Sequence, residues 1–265
     1  MVTQHEQLKN NLSYLKLEEM NNHLDETIDF INSNNVSFTE GLIKLTNYQI
    51  ELRERNMINA MVKVGNFPHT KELKDFDFSY QENINKEQIL DLETLRFFDN
   101  KENIIFLGSS GVGKTHLATS IGITAAKNRI STYFIKCSDL ILQLKRAQLE
   151  NRLDSRLKHF TSYGVLIIDE IGYLPIDRQG ANLFFQLISK RYGKKSTIIT
   201  TNMPFSKWSD VFYDATLANA VLDRLLHYSN VIRITGNSYR IKDKIERAKD
   251  EADKNAKNII ILITI

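Results

Sequence analysis

The eight residues Gly108-Ser109-Ser110-Gly111-Val112-Gly113-Lys114-Thr115 fit the pattern G-x-x-x-x-G-K-[ST]. The spacing has a chemical reason. Glycine tolerates positive φ, so consecutive backbone N–H groups can turn inward around an anion. A helix that starts at Lys114 aims its partial positive end at the same point. The Lys114 ammonium can reach β- and γ-phosphates, and the Thr115 hydroxyl can ligate Mg²⁺, whose other positions go to phosphate and water. His116 falls in the first turn of that helix, beside the bound phosphates, and is read as a neighbour of the ligand without a catalytic part.

A second chemical segment is Val165-Leu166-Ile167-Ile168-Asp169-Glu170, an apolar run that ends in two acids. Ligands of open α/β sheets bind beyond the carboxyl ends of the strands. Acids placed there face the phosphates: Asp169 to hold the Mg²⁺, Glu170 to orient and deprotonate an attacking water.

Three further positions carry two readings each. Asn202 closes the run Thr200-Thr201-Asn202 and either holds the water and senses the γ-phosphate or caps the turn before Met203-Pro204. Arg224, in Leu222-Asp223-Arg224-Leu225-Leu226, and Arg240, in Ser238-Tyr239-Arg240, either stabilise phosphoryl charge or make surface ion pairs.

These groups need a scaffold that brings strand ends together. From residue 103 onward short, continuous apolar runs at 104–107, 132–135, 165–168, 197–200 and 231–234 alternate with amphipathic stretches near 114–128, 138–160, 181–192 and 206–228. Continuous runs suit strands covered on both faces, and the alternation predicts βαβ units: an α/β fold with a parallel five-stranded sheet flanked by helices, a P-loop NTPase. Residues 1–65 read as a small helical domain. Leu8, Leu12, Leu15 and Met20, then Leu24, Ile28 and Ile31, recur near helical spacing. Ser37 or Thr39 caps a helix that Gly65-Asn66-Phe67-Pro68 stops. Residues 66–102 read as a linker strap with a helix carrying Ile89, Leu92, Leu95 and Phe98, residues 103–250 as the nucleotide-binding domain, and 251–265 as a tail.

Composition narrows the class. The 265 residues are 42% apolar and 25% charged, ordinary globular usage. The lone cysteine, Cys137, forms no internal disulfide or cysteine-based zinc site by itself and is expected as a small buried residue. The first twenty residues show no leader, and no apolar run, the longest being 259–265, approaches the ~20 residues of a membrane span. A cytoplasmic protein without a membrane partner is expected. Residues 1–64 hold 6 basic and 9 acidic side chains, residues 65–265 hold 29 and 23. Two basic groups could meet phosphates: Lys145, Arg146, Arg152, Arg156 and Lys158 on one expected helix, and Lys190, Arg191, Lys194 and Lys195 before a strand.

In combination these segments resemble the IstB-like ATP-binding proteins of insertion sequences, AAA+ ATPases related to DnaC-type helicase loaders and to DnaA. The resemblance covers nearly the whole chain. It rests on 108–117 (GSSGVGKTHL), 165–174 (VLIIDEIGYL), 200–208 (TTNMPFSKW), 222–228 (LDRLLHY) and 236–242 (GNSYRIK). It implies ATP and Mg²⁺ as cofactors, Lys114 and Thr115 as Walker A, Asp169 and Glu170 as Walker B, Asn202 as sensor 1 and Arg240 as sensor 2. It makes Arg224 a finger offered to a neighbouring subunit, hence a homo-oligomer formed with ATP. It implies double-stranded DNA and the transposase of the same insertion sequence as partners, with residues 1–65 as the DNA-clamping or partner-docking module. A DnaC-like loader of a replicative helicase, switched by ATP, is the alternative. The tail after Glu251 matches no pattern of the family.

Overall fold

The computed structural model describes residues 2–81 and 83–242. The expected tail at 251–265 and its apolar stretch 259–265 lie outside the described residues. The chain divides into two compact units, Met1–Met61 and Val62–Ile265.

The first unit is helical: α1 (Gln4–Tyr14), α2 (Glu18–Asn22), α3 (Leu24–Asn34) and most of α4 (Phe38–Val64). Thr3 and Glu6 form a reciprocal capping box that starts α1. Ser37 starts α4, its Oγ accepting from the Glu40 N–H at 3.2 Å. Leu12, Leu24 and Leu45 make a small core, with Leu17 and Met20 against it. Gln49 is buried beside them and accepts the Glu19 N–H at 3.1 Å.

The second unit is built on five parallel strands, β1 (Asn103–Gly108), β2 (Thr132–Lys136), β3 (Val165–Ile171), β4 (Ser196–Thr201) and β5 (Ser229–Ile234). Their order is β2-β3-β4-β1-β5. The helices that follow the strands are α7 (Lys114–Lys127), α8 (Cys137–Leu149), α9 (Leu153–Ser162), α10 (Arg178–Arg191), α11 (Trp208–Phe212) and α12 (Ala215–Leu226), with α5 (Lys86–Leu92) and α6 (Arg96–Asp99) before β1. Successive strand residues point to opposite faces. Ile104, Phe106, Val165, Ile167 and Ile198 therefore join α7 and the 66–102 segment in one core. Ile105, Leu166, Ile168 and Ile199 join α8 to α12 in the other, with Trp208, Phe184 and Phe212 filling it. Each such side chain contributes about 1.5–3 kcal/mol of burial, which is why β1 and β3 read as unbroken apolar runs. At the sheet edge, β5 departs from the expected continuous run, with Ile232 and Ile234 buried and Val231 exposed.

Three local expectations are corrected. The stretch 138–160 is two helices, broken where Asn151 adopts a left-handed φ of 54°, a conformation asparagine tolerates better than most residues. Lys145 and Arg146 therefore sit on α8, and Arg156 and Lys158 on α9. The stretch 206–228 breaks at Tyr213, φ 59°, and restarts at Asp214, whose carboxylate accepts the Thr216 and Leu217 N–H groups. The single helix expected to carry Ile89 through Phe98 divides at Leu95, φ 62°.

Residues 66–102 do more than link. Leu73, Phe76, Ile84, Ile89, Leu92 and Phe97 all enter the sheet core. Asn66 and Gly65 also cover the outer edge of β2: Gly65 O accepts the Phe134 N–H at 2.8 Å and Asn66 Nδ2 donates to Phe134 O at 3.0 Å. Cys137 is buried at the start of α8, and burial pushes its thiol up to about 12. Among the described residues no helix is long and apolar enough to cross a membrane.

Candidate nucleotide site

The turn between β1 and α7 wraps the point where the helix N-terminus opens. Gly111 and Gly113 take φ of 83° and 98°, left-handed values that side chains disfavour. Space demands glycine at both as well: a Cβ on Gly111 would lie 1.9 Å from Ser238 Oγ, and one on Gly113 would lie 2.5 Å from the Phe76 ring. Val112 between them is fully buried and anchors the loop. Gly108, Ser109 and Ser110 complete the turn. Lys114 Nζ donates to Gly108 O at 2.8 Å and to Ser109 O at 2.7 Å, so the ammonium lies over the loop. Burial holds its pKa below the usual lysine value.

The ends of β3 and β4 form the facing wall. Asp169 is 1% exposed and sits directly behind Thr115, whose hydroxyl reaches its two carboxylate oxygens at 3.0 and 3.2 Å. Burial raises the Asp169 pKa, opposed by hydrogen bonds from Thr200 and Thr115. A hydroxyl and a carboxylate adjoining a phosphate loop are the hard oxygen donors Mg²⁺ takes. No group of three or more His, Cys, Asp or Glu capable of holding a metal occurs among the described residues. Thr115 and Asp169 therefore fit a cation whose remaining ligands are phosphate and water, and do not form a cage of their own.

Glu170 follows with φ of 63°. Its N–H donates to Thr200 Oγ1 at 2.9 Å, and its carboxylate lies 3.0 Å from Lys136 Nζ. The contact raises the Lys136 pKa. Lys136 pairs in register with Asp169 at the end of β2, so its position follows from the same rule that placed the acids. Neither Lys136 nor Thr200 is marked for the site by a sequence motif. The strand ends held the signal for both.

Between the walls lies a cleft of about 340 Å³ whose lining includes Lys114, Thr115, Glu170, Asn202 and Arg240. His116 lines it too, with Nε2 3.1 Å from Glu72 O and its ring edge-on to Phe76, a packing role. Arg240 is carried by a short turn, Tyr239–Ile241, docked on the phosphate loop through Tyr239 N–H to Gly111 O at 2.9 Å. The 66–102 segment fastens that turn: Tyr80 Oη donates to Ser238 O, Gln81 Nε2 to Asn237 O, and Lys242 pairs with Asp77 at 2.7 Å. On the 66–102 side, Asp77, Tyr80 and Gln81 carry no motif, so the sequence gives no sign of this fastening. Arg224 is not brought to the cleft. It lies on α12, donates to Ala220 O at 3.0 Å and stacks its guanidinium over the Phe185 ring.

The basic groups are rearranged by the fold. Arg191 is 1% exposed and donates to Phe160 O and Tyr163 O, both at 2.9 Å, to Thr197 Oγ1 at 3.1 Å, and to Ser196 O. It staples α9 to the start of β4 and is withdrawn from any phosphate surface, a correction to its place among the surface cations. Burial lowers its pKa to about 9. Lys145 pairs with Asp177 at 2.6 Å, and Arg146 and Arg152 both hold Glu150.

Known proteins share this sequence and this fold. A family model described as IstB-like ATP binding protein matches residues 10–247. The ATP-binding protein of insertion sequence IS232 from Bacillus thuringiensis subsp. berliner is 61% identical over 250 residues, 94% of this chain and 100% of that protein. The ATP-binding protein of IS5376 from Geobacillus stearothermophilus is 40% identical over 86% of this chain and 90% of its own. Among solved structures, AMPPCP-bound DnaA from Aquifex aeolicus aligns with TM-score 0.54 at 20% identity, over 70% of this chain and 56% of that one. That likeness concerns the fold, a parallel sheet of the P-loop AAA+ type. The chain belongs to the IstB-like ATP-binding proteins.

Proposed function

We propose that this protein is a Mg²⁺-dependent, oligomeric ATPase that binds double-stranded DNA and assists the transposase of its insertion sequence. The observation that carries the ATPase reading is the meeting of Lys114, Thr115 and Glu170 in one cleft, with Asp169 behind Thr115. Mg²⁺ would be held by Thr115 and Asp169 and would supply charge neutralisation between phosphates. The rest is work for the chain itself. The loop N–H groups and Lys114 bind and orient the triphosphate. Glu170 takes the proton from the attacking water, with Asn202 orienting that water from the end of β4. Arg240 stabilises charge on the γ-phosphoryl oxygens. The sheet core behind the loop keeps bulk water from the buried Asp169.

Arg224 supports the oligomer. An arginine on α12, outside its own cleft, fits a role in a neighbour's cleft, where a finger in trans raises turnover about 10³–10⁵-fold. The relatives' names place them with insertion sequences, which supports DNA and a transposase as partners and the cytoplasm as the location. The DNA surface is assigned to Arg146, Arg152, Arg156 and Lys158 on the α8–α9 corner and to Lys190, Lys194 and Lys195, with residues 1–65 as a clamping or docking module. Each phosphate contact there adds salt-dependent affinity.

The test is ATP turnover and particle size, with and without duplex DNA. Assembly with an ATP analogue and turnover that rises with protein concentration are expected. Arg224→Ala should bind ATP and lose hydrolysis, and mixing it with Glu170→Gln should restore part of it. A chain that stays monomeric with ATP and DNA, yet hydrolyses fully, refutes the trans finger.

A further inference from the structure

The β3–β4 ladder is regular up to Ile168↔Ile199, then resumes at Ile171↔Thr201. Three steps along β3 match two along β4, so β3 carries one extra residue: a bulge at Asp169-Glu170. A bulge costs ladder hydrogen bonds, and a buried N–H without a partner is expensive. Here a side chain makes good the loss. Thr200, 1% exposed, stands opposite the bulge, and its Oγ1 accepts the Glu170 N–H at 2.9 Å. The same oxygen donates its one proton to Asp169 Oδ1. A hydroxyl has a single donor hydrogen and acceptor lone pairs beside it, so both contacts are made at once, in opposite senses. Glu170 meanwhile holds a φ of 63° that nothing about glutamate favours.

Resting on the reading of this cleft as a Mg²⁺–ATP site, we infer that Thr200 is its positioning residue: one hydroxyl fixes the Asp169 carboxylate for the cation and the Glu170 backbone for the water. The branched Cβ restricts the side-chain rotamer. Serine would keep the hydroxyl with less restraint, and valine would keep the shape without it. Thr201 performs a different task, its Oγ1 donating to Ile171 O at 2.8 Å beyond the bulge and accepting the Met203 N–H at 3.1 Å. The two adjacent threonines thus divide the work: Thr201 ties the outgoing chain and Thr200 ties the chemical pair. Nucleotide affinity without metal depends on the loop and Lys114, which Thr200 does not touch. Metal-dependent affinity and turnover depend on Asp169 and Glu170, which it does.

The experiment uses the full chain with Thr200→Val and Thr200→Ser. Four quantities are measured: affinity for a fluorescent ATP analogue in EDTA, the Mg²⁺ concentration that half-restores full affinity, kcat and KM at saturating Mg²⁺, and the thermal midpoint. Thr200→Val should keep its EDTA affinity within about twofold, need roughly tenfold more Mg²⁺, and lose about 10–100-fold in kcat with little change in KM, the size typical for partners that orient a metal ligand. Thr200→Ser should keep wild-type Mg²⁺ dependence and kcat within about threefold, even if it melts lower for want of the buried methyl. Wild-type Mg²⁺ dependence and kcat in Thr200→Val overturn the inference. So does a Thr200→Ser variant with shifted Mg²⁺ dependence, which would assign the position to packing, and that readout stands even if the valine variant does not fold. A wild-type chain without Mg²⁺-dependent nucleotide binding would sink the reading of the cleft first, before any variant is compared.

Discussion

The turn between β1 and α7 places its donors, backbone N–H groups and the Lys114 ammonium, within eight consecutive residues. The facing wall, at the ends of β3 and β4, is assembled from side chains that reach between strands, Thr200 to Asp169 and Glu170 and Lys136 to Glu170, and Thr115 meets Asp169 from α7. The first wall needs glycine where φ is positive and tolerates little else. The second holds a glutamate at positive φ, 63°, with its N–H tied to Thr200 on the neighbouring strand. The lesson is that grip and chemistry are separately built. The loop should set how tightly phosphate is held, and the strand ends should set what happens to it.

Two substitutions would break that division if it is wrong. The larger effect is expected at Glu170. Glutamine keeps the size and the backbone while losing the basic oxygen, so turnover should fall about 10²–10⁴-fold, the range for a lost general base. ATP affinity, measured by titration in the same buffer, should stay within a few-fold. A comparable loss of affinity would mean that the strand wall grips as well. Lys114→Ala is the converse. Removing a charge-assisted partner of about 1.5–3 kcal/mol should weaken binding roughly 10–100-fold. With enough ATP to saturate, part of the turnover should return. Unchanged affinity would show that loop N–H groups suffice, and would leave the ammonium a role in chemistry alone.

The same contrast explains what could be read from the sequence. The loop is contiguous, so its motif stated the ligand outright. Each strand contains a short, largely apolar run, so all five were visible, and a parallel fold puts their carboxyl ends on one side of the sheet; their order is set by the fold alone. Asp169 and Glu170 were legible because they close such a run. Thr200 and Lys136 close runs too, but their partners lie on other strands, and only the register and the bulge bring them together. Arg191 misled for the complementary reason. In sequence it sits among Lys190, Lys194 and Lys195, whereas in the fold three backbone carbonyls and Thr197 Oγ1 satisfy its guanidinium inside the core. The 66–102 segment was underestimated because Leu73, Phe76 and Phe97 are spaced without a period, and aperiodic apolar residues look like a linker until a sheet face receives them. The helix breaks at Asn151 and Tyr213 were hidden because helical spacing resumes beyond each of them.

The smallest expected effect sharpens the comparison most, because it acts on the strand wall without touching the loop. Lys136 is half exposed, and its ammonium lies 3.0 Å from the Glu170 carboxylate. A carboxylate oxygen engaged by an ammonium has less electron density to offer a water proton, so the pair should restrain Glu170. The restraint is modest, since an exposed pair is worth well under about 1 kcal/mol. Lys136→Ala should therefore raise basal ATP turnover by no more than about fivefold and leave nucleotide affinity unchanged. High salt, which screens exposed pairs, should raise wild-type turnover in the same direction and have less effect on the variant. Turnover that falls in Lys136→Ala would reverse the assignment. The lysine would then be a support that aims the glutamate at the cleft, and three strands, not two, would have to be counted in the chemical wall.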